Sequence, residues 1–310
     1  MMTENAISAK NIVKSYKNFT LDIPELNIPK GFTTVVIGKN GSGKTTLLNI
    51  LAALYLDFSG DVTYFDKLKM PDDNYEIKTS IGYQASQCYF ASHWTHKDIS
   101  KAMAASFDNF SEEKFNELCS EFELFGLKTD KKYKPIGRIN TFSDGMKMKA
   151  MLAAVLARDT KLLILDEPAS PLDPVMRDRL CGIIGDYIAE GNGEHSVILS
   201  THNIADMEAI SDYAVIIDSG KILEQGWTTE LSEKYLIVTG DLSDYEKVSK
   251  NAVYCEKTSV SFTALLLSEN AECLSGTDVS ELPVTLSQLS VLLMKSAENR
   301  KGSEVNEQKL

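Results

Sequence analysis

The sequence lacks an apolar run that could cross a bilayer, and it lacks any C-x-x-C pair. A membrane-spanning helix needs about 20 consecutive apolar residues, so we expect another polypeptide to make any membrane crossing. The opening residues, MMTENAISAKNIVKSY, have no apolar core typical of a signal peptide. The cysteines are five in number and scattered, which predicts a reduced, intracellular protein rather than a disulfide framework.

The chain also lacks an excess of positive charge. Its formal net charge is -12, and the charge is spread along the chain. A protein that binds nucleic acid usually carries a basic patch, so we expect no nucleic-acid partner. The chain has 310 residues and 43% hydrophobic content, enough for one large domain and a smaller appendage, each with its own core.

The segment GKNGSGKTT lies between a predicted buried strand over 33–37 and a predicted helix over 45–55. Its spacing, G-x-x-x-x-G-K-[ST], is that of a P-loop, in which backbone N–H groups and a helix N-terminus bind polyphosphate. Lys44 would contact the β- and γ-phosphates, and the Thr45 hydroxyl a Mg²⁺ ion. The alternative is a strand-to-helix turn with a chance lysine. The predicted nucleotide-binding residues here are Gly38, Asn40, Gly41, Ser42, Gly43, Lys44, Thr45 and Thr46.

A second segment, KLLILDEPASPLDP, reads as a strand buried on both faces that ends in two carboxylates. Asp166 would hold Mg²⁺ opposite Thr45, and Glu167 would reach a water in line with the γ-phosphate. Read alone, these residues would suit an acidic turn before a helix. The P-loop upstream favours the catalytic interpretation.

Between these segments, TFSDGMKMKAMLAAVLARD predicts a helix whose N-terminus carries Ser143 and Gly145. Such a helix end favours an anion. Because the chain's own P-loop is committed to phosphate, the economical arrangement is a dimer in which this end caps the partner's γ-phosphate.

Over about residues 6–231, the chain resembles the ATP-binding subunit of an ABC transporter, with every motif in the family's order. The resemblance implies ATP and Mg²⁺ as cofactors. It implies that Tyr16 stacks on adenine, although an ordinary strand-end aromatic is the alternative. It also implies that Gln84 senses the γ-phosphate and Mg²⁺, that His202 contacts the γ-phosphate, and that Ser170, Pro171, Leu172 and Asp173 link the two sites of the dimer.

The segment Phe142 to Met146 departs from the family's usual Leu-Ser-Gly-Gly-Gln. Asp144 adds a carboxylate, which is an electrostatic cost unless it points to solvent or is offset by Lys147 or Lys149. This form is similar to ATPase subunits of bacterial exporters of peptides, antibiotics or lipids. The resemblance therefore implies separately encoded transmembrane permease subunits, a second ATPase subunit that is identical or paralogous, and a position on the inner face of the cell membrane.

A soluble ABC-type ATPase that acts on a ribosome or nucleic-acid machine is the alternative function. The single P-loop, the lack of sustained heptads and the negative charge disfavour it.

The predicted fold class is α/β, a P-loop NTPase with a mostly parallel sheet, a small antiparallel β subdomain and a helical insertion. The predicted ATPase domain spans 1–231, with the insertion over about 86–138, and Ser111 is a predicted helix N-cap. A small α+β appendage over 232–296 and a disordered tail over 297–310 follow.

Two readings of the segment CYFASHWTH remain open. Cys88, His93 and His96 match no standard zinc spacing, so metal binding is the weaker hypothesis. The aromatic residues Tyr89, Phe90 and Trp94 predict either a docking surface for a membrane subunit or part of the core.

Overall fold

A six-stranded sheet forms the centre of the protein, for which the computed structural model describes residues 4–69, 72–129, 132–135 and 137–307. Its order is β12-β11-β3-β10-β9-β6, and every neighbouring pair is parallel except β11 with β12. The strands are β3 (Thr33–Ile37), β6 (Ile81–Gln84), β9 (Leu162–Asp166), β10 (Ser196–Thr201), β11 (Tyr213–Asp218) and β12 (Lys221–Trp227). The predicted mostly parallel sheet is confirmed.

Strands β3, β9 and β10 are buried along their whole length, as their continuous apolar sequences predict for strands covered on both faces. Their register pairs Ile37 with Thr201, and Asp166 with Ser200. The loops after β3, β9 and β10 therefore leave the sheet at one common edge. This edge carries the P-loop, Glu167 and His202.

An antiparallel sheet of order β2-β1-β4-β5 packs over the first helix and confirms the predicted β subdomain. Its strands are β1 (Asn5–Tyr16), β2 (Phe19–Pro29), β4 (Ser59–Tyr64) and β5 (Leu68–Lys69). The first helix is α1 (Lys44–Leu51), whose Leu47, Leu48 and Ile50 are fully buried in the core shared by the two sheets.

The insertion contains helices, as predicted, but also a two-stranded hairpin that the sequence pattern did not indicate. Ser111 caps its second helix by accepting a hydrogen bond from the Lys114 backbone N–H, which confirms the predicted start. The elements of the insertion are α3 (His96–Ser106), α4 (Glu112–Glu121), β7 (Phe125–Thr129) and β8 (Lys132–Pro135), and α2 (Asn74–Ser80) lies before it, ahead of β6. After it come a 3-10 turn (Ile139–Thr141), α5 (Asp144–Leu156) and α6 (Pro174–Glu190).

The C-terminal region forms a third antiparallel sheet of order β14-β15-β13-β16 with its own small core, which includes Val238, Val248 and Phe262. Before this region, two short 3-10 turns (Ile204–Asp206 and Glu208–Ile210) lie between β10 and β11 of the central sheet. The elements after β12 are α7 (Thr228–Lys234), β13 (Tyr235–Asp241), α8 (Tyr245–Ser249), β14 (Tyr254–Lys257), β15 (Ser261–Leu267), a 3-10 turn (Ser268–Leu274), β16 (Val279–Pro283) and α9 (Leu286–Glu307). The predicted domain end, Leu231, lies inside α7.

Helix α9 connects this region to the main core, since Leu289, Leu293 and Met294 are buried there. Further along α9, the carboxylate of Glu298 forms an ion pair with Lys39 of the P-loop. The helix continues to Glu307, into the range that composition predicted to be disordered. In the described part of the chain, no helix combines the length and the apolar character that a membrane span requires.

Candidate active site

A cleft of about 1290 Å³ opens at the edge of the central sheet where the P-loop lies. The structure brings nine of the predicted site residues together here from four separate segments of the chain. They are Tyr16, Asn40, Gly41, Gly43, Lys44, Thr45, Thr46, Glu167 and His202. A concave site with convergent polar groups is the usual setting for a ligand.

The P-loop turns sharply because its glycines adopt backbone conformations that other residues avoid. Gly41 has φ +80° and Gly43, which precedes α1, has φ +110°. The ammonium of Lys44 is only 5% exposed and donates hydrogen bonds to Gly38 O at 2.8 Å and Lys39 O at 3.2 Å. The buried Ser42 hydroxyl has no hydrogen-bond partner among the described residues. The loop therefore holds an unsatisfied polar group and a buried cation, both suited to phosphate oxygens.

Two oxygen donors predicted to bind Mg²⁺ lie side by side at the base of the cleft. The Thr45 hydroxyl donates to Asp166 Oδ2 at 2.8 Å, and Asp166 Oδ1 accepts from the Ser200 hydroxyl at 2.6 Å. Asp166 is fully buried. A hydroxyl and a carboxylate beside a phosphate site match the ligand preference of Mg²⁺, so these residues fit the ion.

The carboxylate of Glu167 joins the P-loop lysine to the predicted histidine. Glu167 Oε1 lies 3.2 Å from Lys44 Nζ, and Glu167 Oε2 lies 2.6 Å from His202 Nδ1. Its backbone has φ +52°, in the left-handed region that glutamate rarely adopts, and its N–H donates to the Ser200 hydroxyl at 2.9 Å. The fold holds this carboxylate at the phosphate end of the cleft at a conformational cost.

Gln84 is not among the residues that line the cleft, but its side chain contacts the backbone of the predicted Mg²⁺ ligand Asp166. It is the last residue of β6, its side chain is fully buried, and its amide donates to the backbone oxygens of Ala85 and Asp166. Gln87, three residues further along, lines the cleft together with Ser86 and Cys88. The motif reading took the first glutamine of the segment.

The predicted anion-binding helix end is formed as expected, with Ser143 as the N-cap of α5. The Ser143 hydroxyl accepts a hydrogen bond from the Met146 backbone N–H at 3.2 Å. Asp144 pairs with Lys147 Nζ at 2.9 Å, which offsets the extra carboxylate. Of this segment, Asp144 and Lys147 line the described part of the cleft, whereas Ser143 and Gly145 do not.

The loop after Glu167 divides between the cleft and the next helix. Ser170 and Pro171 line the cleft, and Leu172 is buried in the core. Asp173 caps α6 by accepting a hydrogen bond from the Met176 backbone N–H at 3.1 Å.

The segment after β6 packs mainly as core. Phe90 is buried and stacks on Trp94 with ring centroids 6.1 Å apart, while Tyr89 is half exposed. His96 stacks on Phe115, and burial lowers the pKa of this histidine. Across the residues that the structure describes, no three His, Cys, Asp or Glu side chains form a group that could hold a metal ion.

Comparison with known proteins agrees with this geometry. Residues 21–170 match the protein family described as ABC transporter. The chain is 29% identical over 237 residues to the energy-coupling factor transporter ATP-binding protein EcfA1 of Staphylococcus aureus (strain MRSA252), covering 73% of this chain and 83% of that protein.

Two solved structures share the fold. The structure of an ATP binding subunit of an ABC transporter matches with TM-score 0.62 and 22% identity, covering 73% of this chain and 91% of that one. The dimeric structure of MJ0796, a bacterial ABC transporter cassette, matches with TM-score 0.60 and 22% identity, covering 71% and 98%.

Proposed function

Because this chain carries an ABC transporter ATP-binding domain, we propose that it is the ATP-hydrolysing subunit that powers a membrane transporter through ATP-driven dimerisation. The observation that carries the proposal is the convergence of Lys44, Glu167 and His202 beside the Thr45–Asp166 pair. These groups meet where the γ-phosphate of a nucleotide on the P-loop would lie.

In this proposal, Thr45 and Asp166 hold the Mg²⁺ ion, with Ser200 fixing the orientation of the carboxylate. When bound, the ion would neutralise negative charge on the phosphates. Burial does not exclude Gln84, because Asp166 is equally buried. Gln84 Oε1 has no hydrogen-bond partner among the described residues, so Gln84 stays a proposed contact of the ion. Gln87 takes the role of the glutamine that senses the γ-phosphate, since it lies on the cleft wall.

Nucleotide binding changes the partners of Lys44. Without phosphate, its ammonium donates to two P-loop carbonyls and pairs with Glu167. Phosphate oxygens compete for the same ammonium. Their charge-assisted bonds are stronger than its bonds to the two neutral carbonyls, and their negative charge competes with that of Glu167. Glu167 is then left with His202, which orients the carboxylate so that it can accept a proton from the attacking water.

The second ATPase subunit supplies the remaining groups. Ser143 and the first N–H groups of α5 lie at a helix N-terminus that a phosphate in a partner's site would complement. The dimeric form of the related cassette MJ0796 supports this arrangement. The partner is a second copy of this chain or a paralogous subunit.

Separately encoded transmembrane permease subunits complete the complex, with this chain on the inner face of the membrane. The experiment is purification of the tagged chain from detergent-extracted membranes of its native host, followed by identification of bound proteins. Multi-span membrane proteins at stoichiometric amounts support the proposal. Ribosomes or DNA in their place, and no membrane protein, would favour the alternative of a regulatory ATPase on a nucleic-acid machine.

For the direction of transport, we propose export, on the form of the Ser143 segment alone. The similarity to EcfA1 favours a second candidate, an energy-coupling factor transporter. Transport into or out of proteoliposomes whose ATPase subunits face outward distinguishes the exporter from the second candidate. An exporter of peptides, antibiotics or lipids accumulates a labelled probe of that class inside upon ATP addition, whereas a transporter of opposite direction empties preloaded vesicles.

A further inference from the structure

A buried cation lies behind the proposed adenine platform and contacts two aromatic rings. The ammonium of Lys14 lies over the ring of Tyr16, 5.3 Å from its centroid, and over the ring of Tyr55 at 4.8 Å. Lys14 is 7% exposed and does not line the cleft, whereas Tyr16 is 46% exposed and does. The lysine therefore approaches the ring of Tyr16 from the side of the protein and leaves the cleft side open.

Lys14 is itself fixed by Asp57, which precedes β4. Its ammonium donates to Asp57 O at 3.1 Å and to Asp57 Oδ1 at 2.7 Å. The hydrogen bond with the Asp57 side chain raises the pKa of Lys14 above its usual value. The lysine is therefore a charged, oriented group throughout the physiological pH range.

The Tyr16 ring also contacts one further aromatic ring, that of Phe19. Tyr16 is the last residue of β1, and the ring of Phe19 meets it at a centroid distance of 6.3 Å and a tilt of 39°. A cation within about 6 Å of an aromatic face is attracted to the ring quadrupole, and the attraction has a preferred geometry. Lys14 is thus the charged contact that sets the plane of the Tyr16 ring.

We propose that Lys14 is a positioning residue that orients Tyr16 for stacking on the adenine of ATP. The inference rests on the proposed function, because it assumes that the cleft binds ATP with its base on Tyr16. The side chain acts through Tyr16 and not on the phosphates, because Lys14 is buried and does not line the cleft.

The experiment compares two ligands, ATP and inorganic tripolyphosphate, by calorimetry on the purified full chain. Tripolyphosphate occupies the P-loop but has no base. Lys14→Met keeps the length of the side chain and removes its charge, so ATP binding should weaken about three- to tenfold. Tripolyphosphate binding should stay unchanged, which also shows that the variant is folded.

Three further variants test whether the loss of ATP affinity comes from the Lys14 charge acting through Tyr16. Lys14→Arg keeps the cation and should restore ATP affinity. Lys17→Met removes an equal charge from an exposed lysine next to Tyr16 and should have no effect. In a Tyr16→Ala background, Lys14→Met should cause no further loss, since the ring through which it acts is gone. If Lys14→Met does not fold, Lys14→Gln replaces it, because it also removes the charge but keeps a polar end group that can donate to Asp57 O.

Two results would overturn the inference: unchanged ATP affinity in Lys14→Met while Tyr16→Ala weakens it, or equal losses for ATP and tripolyphosphate. A different result identifies failure of the underlying site. If Tyr16→Ala binds ATP as tightly as the unchanged protein, adenine does not stack on Tyr16, and the inference fails with that assignment.

Discussion

Replacing Gly38 by alanine adds a single methyl group at the point where the P-loop leaves β3. The new Cβ would lie 2.4 Å from Ile217 O and 2.4 Å from Ser42 Oγ, and 2.9 Å from Ile217 Cγ2. The serine hydroxyl can rotate away, but Ile217 O belongs to the backbone of β11 in the central sheet. The loop must therefore move, because the strand cannot.

The size of this movement follows from the distances. Real Cβ contacts are essentially never shorter than 3.0 Å, so Gly38 must retreat from Ile217 by at least about 0.6 Å. Lys44 donates to the carbonyl of Gly38 at 2.8 Å, so the catalytic lysine shifts with it. Displacements of about 1 Å in an active site reduce rates about 100-fold. We expect Gly38→Ala to lower ATP turnover by about that factor and to weaken ATP binding.

The assay is steady-state ATP hydrolysis together with calorimetric ATP affinity, and two other glycines serve as controls. Gly41 also belongs to the P-loop, but a Cβ there meets no described atom within 4 Å, so Gly41→Ala should cost only the left-handed backbone strain of about 1–2 kcal/mol. Gly182 lies in α6 with equally open space, and Gly182→Ala should raise stability by about 0.5–1 kcal/mol. The steric argument is refuted if Gly38→Ala binds and hydrolyses ATP as well as Gly182→Ala.

The remaining predictions address the roles proposed for the catalytic and dimer residues. Glu167→Gln should leave ATP binding intact, reduce turnover by about 100-fold or more, and accumulate an ATP-bound dimer on gel filtration; near-normal hydrolysis with the membrane partner present would remove Glu167 from this role. Lys44→Ala should abolish measurable ATP binding or hydrolysis, and unchanged affinity with continued turnover would contradict the P-loop assignment. Ser143→Arg should block hydrolysis while each monomer still binds ATP; activity that is independent of protein concentration and unaffected by this change would exclude the dimer.

The predicted ABC transporter ATP-binding domain, the fold class and the ATPase activity are confirmed. They could be predicted because the sequence carries several motifs with strict spacing and strong strand patterns. Buried strands β3 and β9 are continuous apolar segments, and the P-loop and Asp166 follow them directly. Motif and strand together fix both the place and the direction of these residues. The contact between Thr45 and Asp166 follows from parallel strands that end at one edge of the sheet.

Other features depend on tertiary packing and escape a local reading. Gln84 and Gln87 are equally plausible by residue type, and only the path of the chain after β6 decides which one reaches the cleft. The hairpin of β7 and β8 lies in a segment without clear alternation. Helix α9 extends beyond residue 297 although that range is polar, and its Glu298 pairs with Lys39 far away in sequence.

The left-handed backbone of Glu167 has a consequence for how this sequence evolves. At φ +52°, glycine or asparagine would be tolerated better than glutamate, by about 1 kcal/mol or more. Selection for thermal stability alone would therefore tend to remove the carboxylate that the proposed reaction needs. Stability and activity are opposed at this one position, so consensus or stability-guided engineering of the chain should leave Glu167 fixed and seek its gains elsewhere.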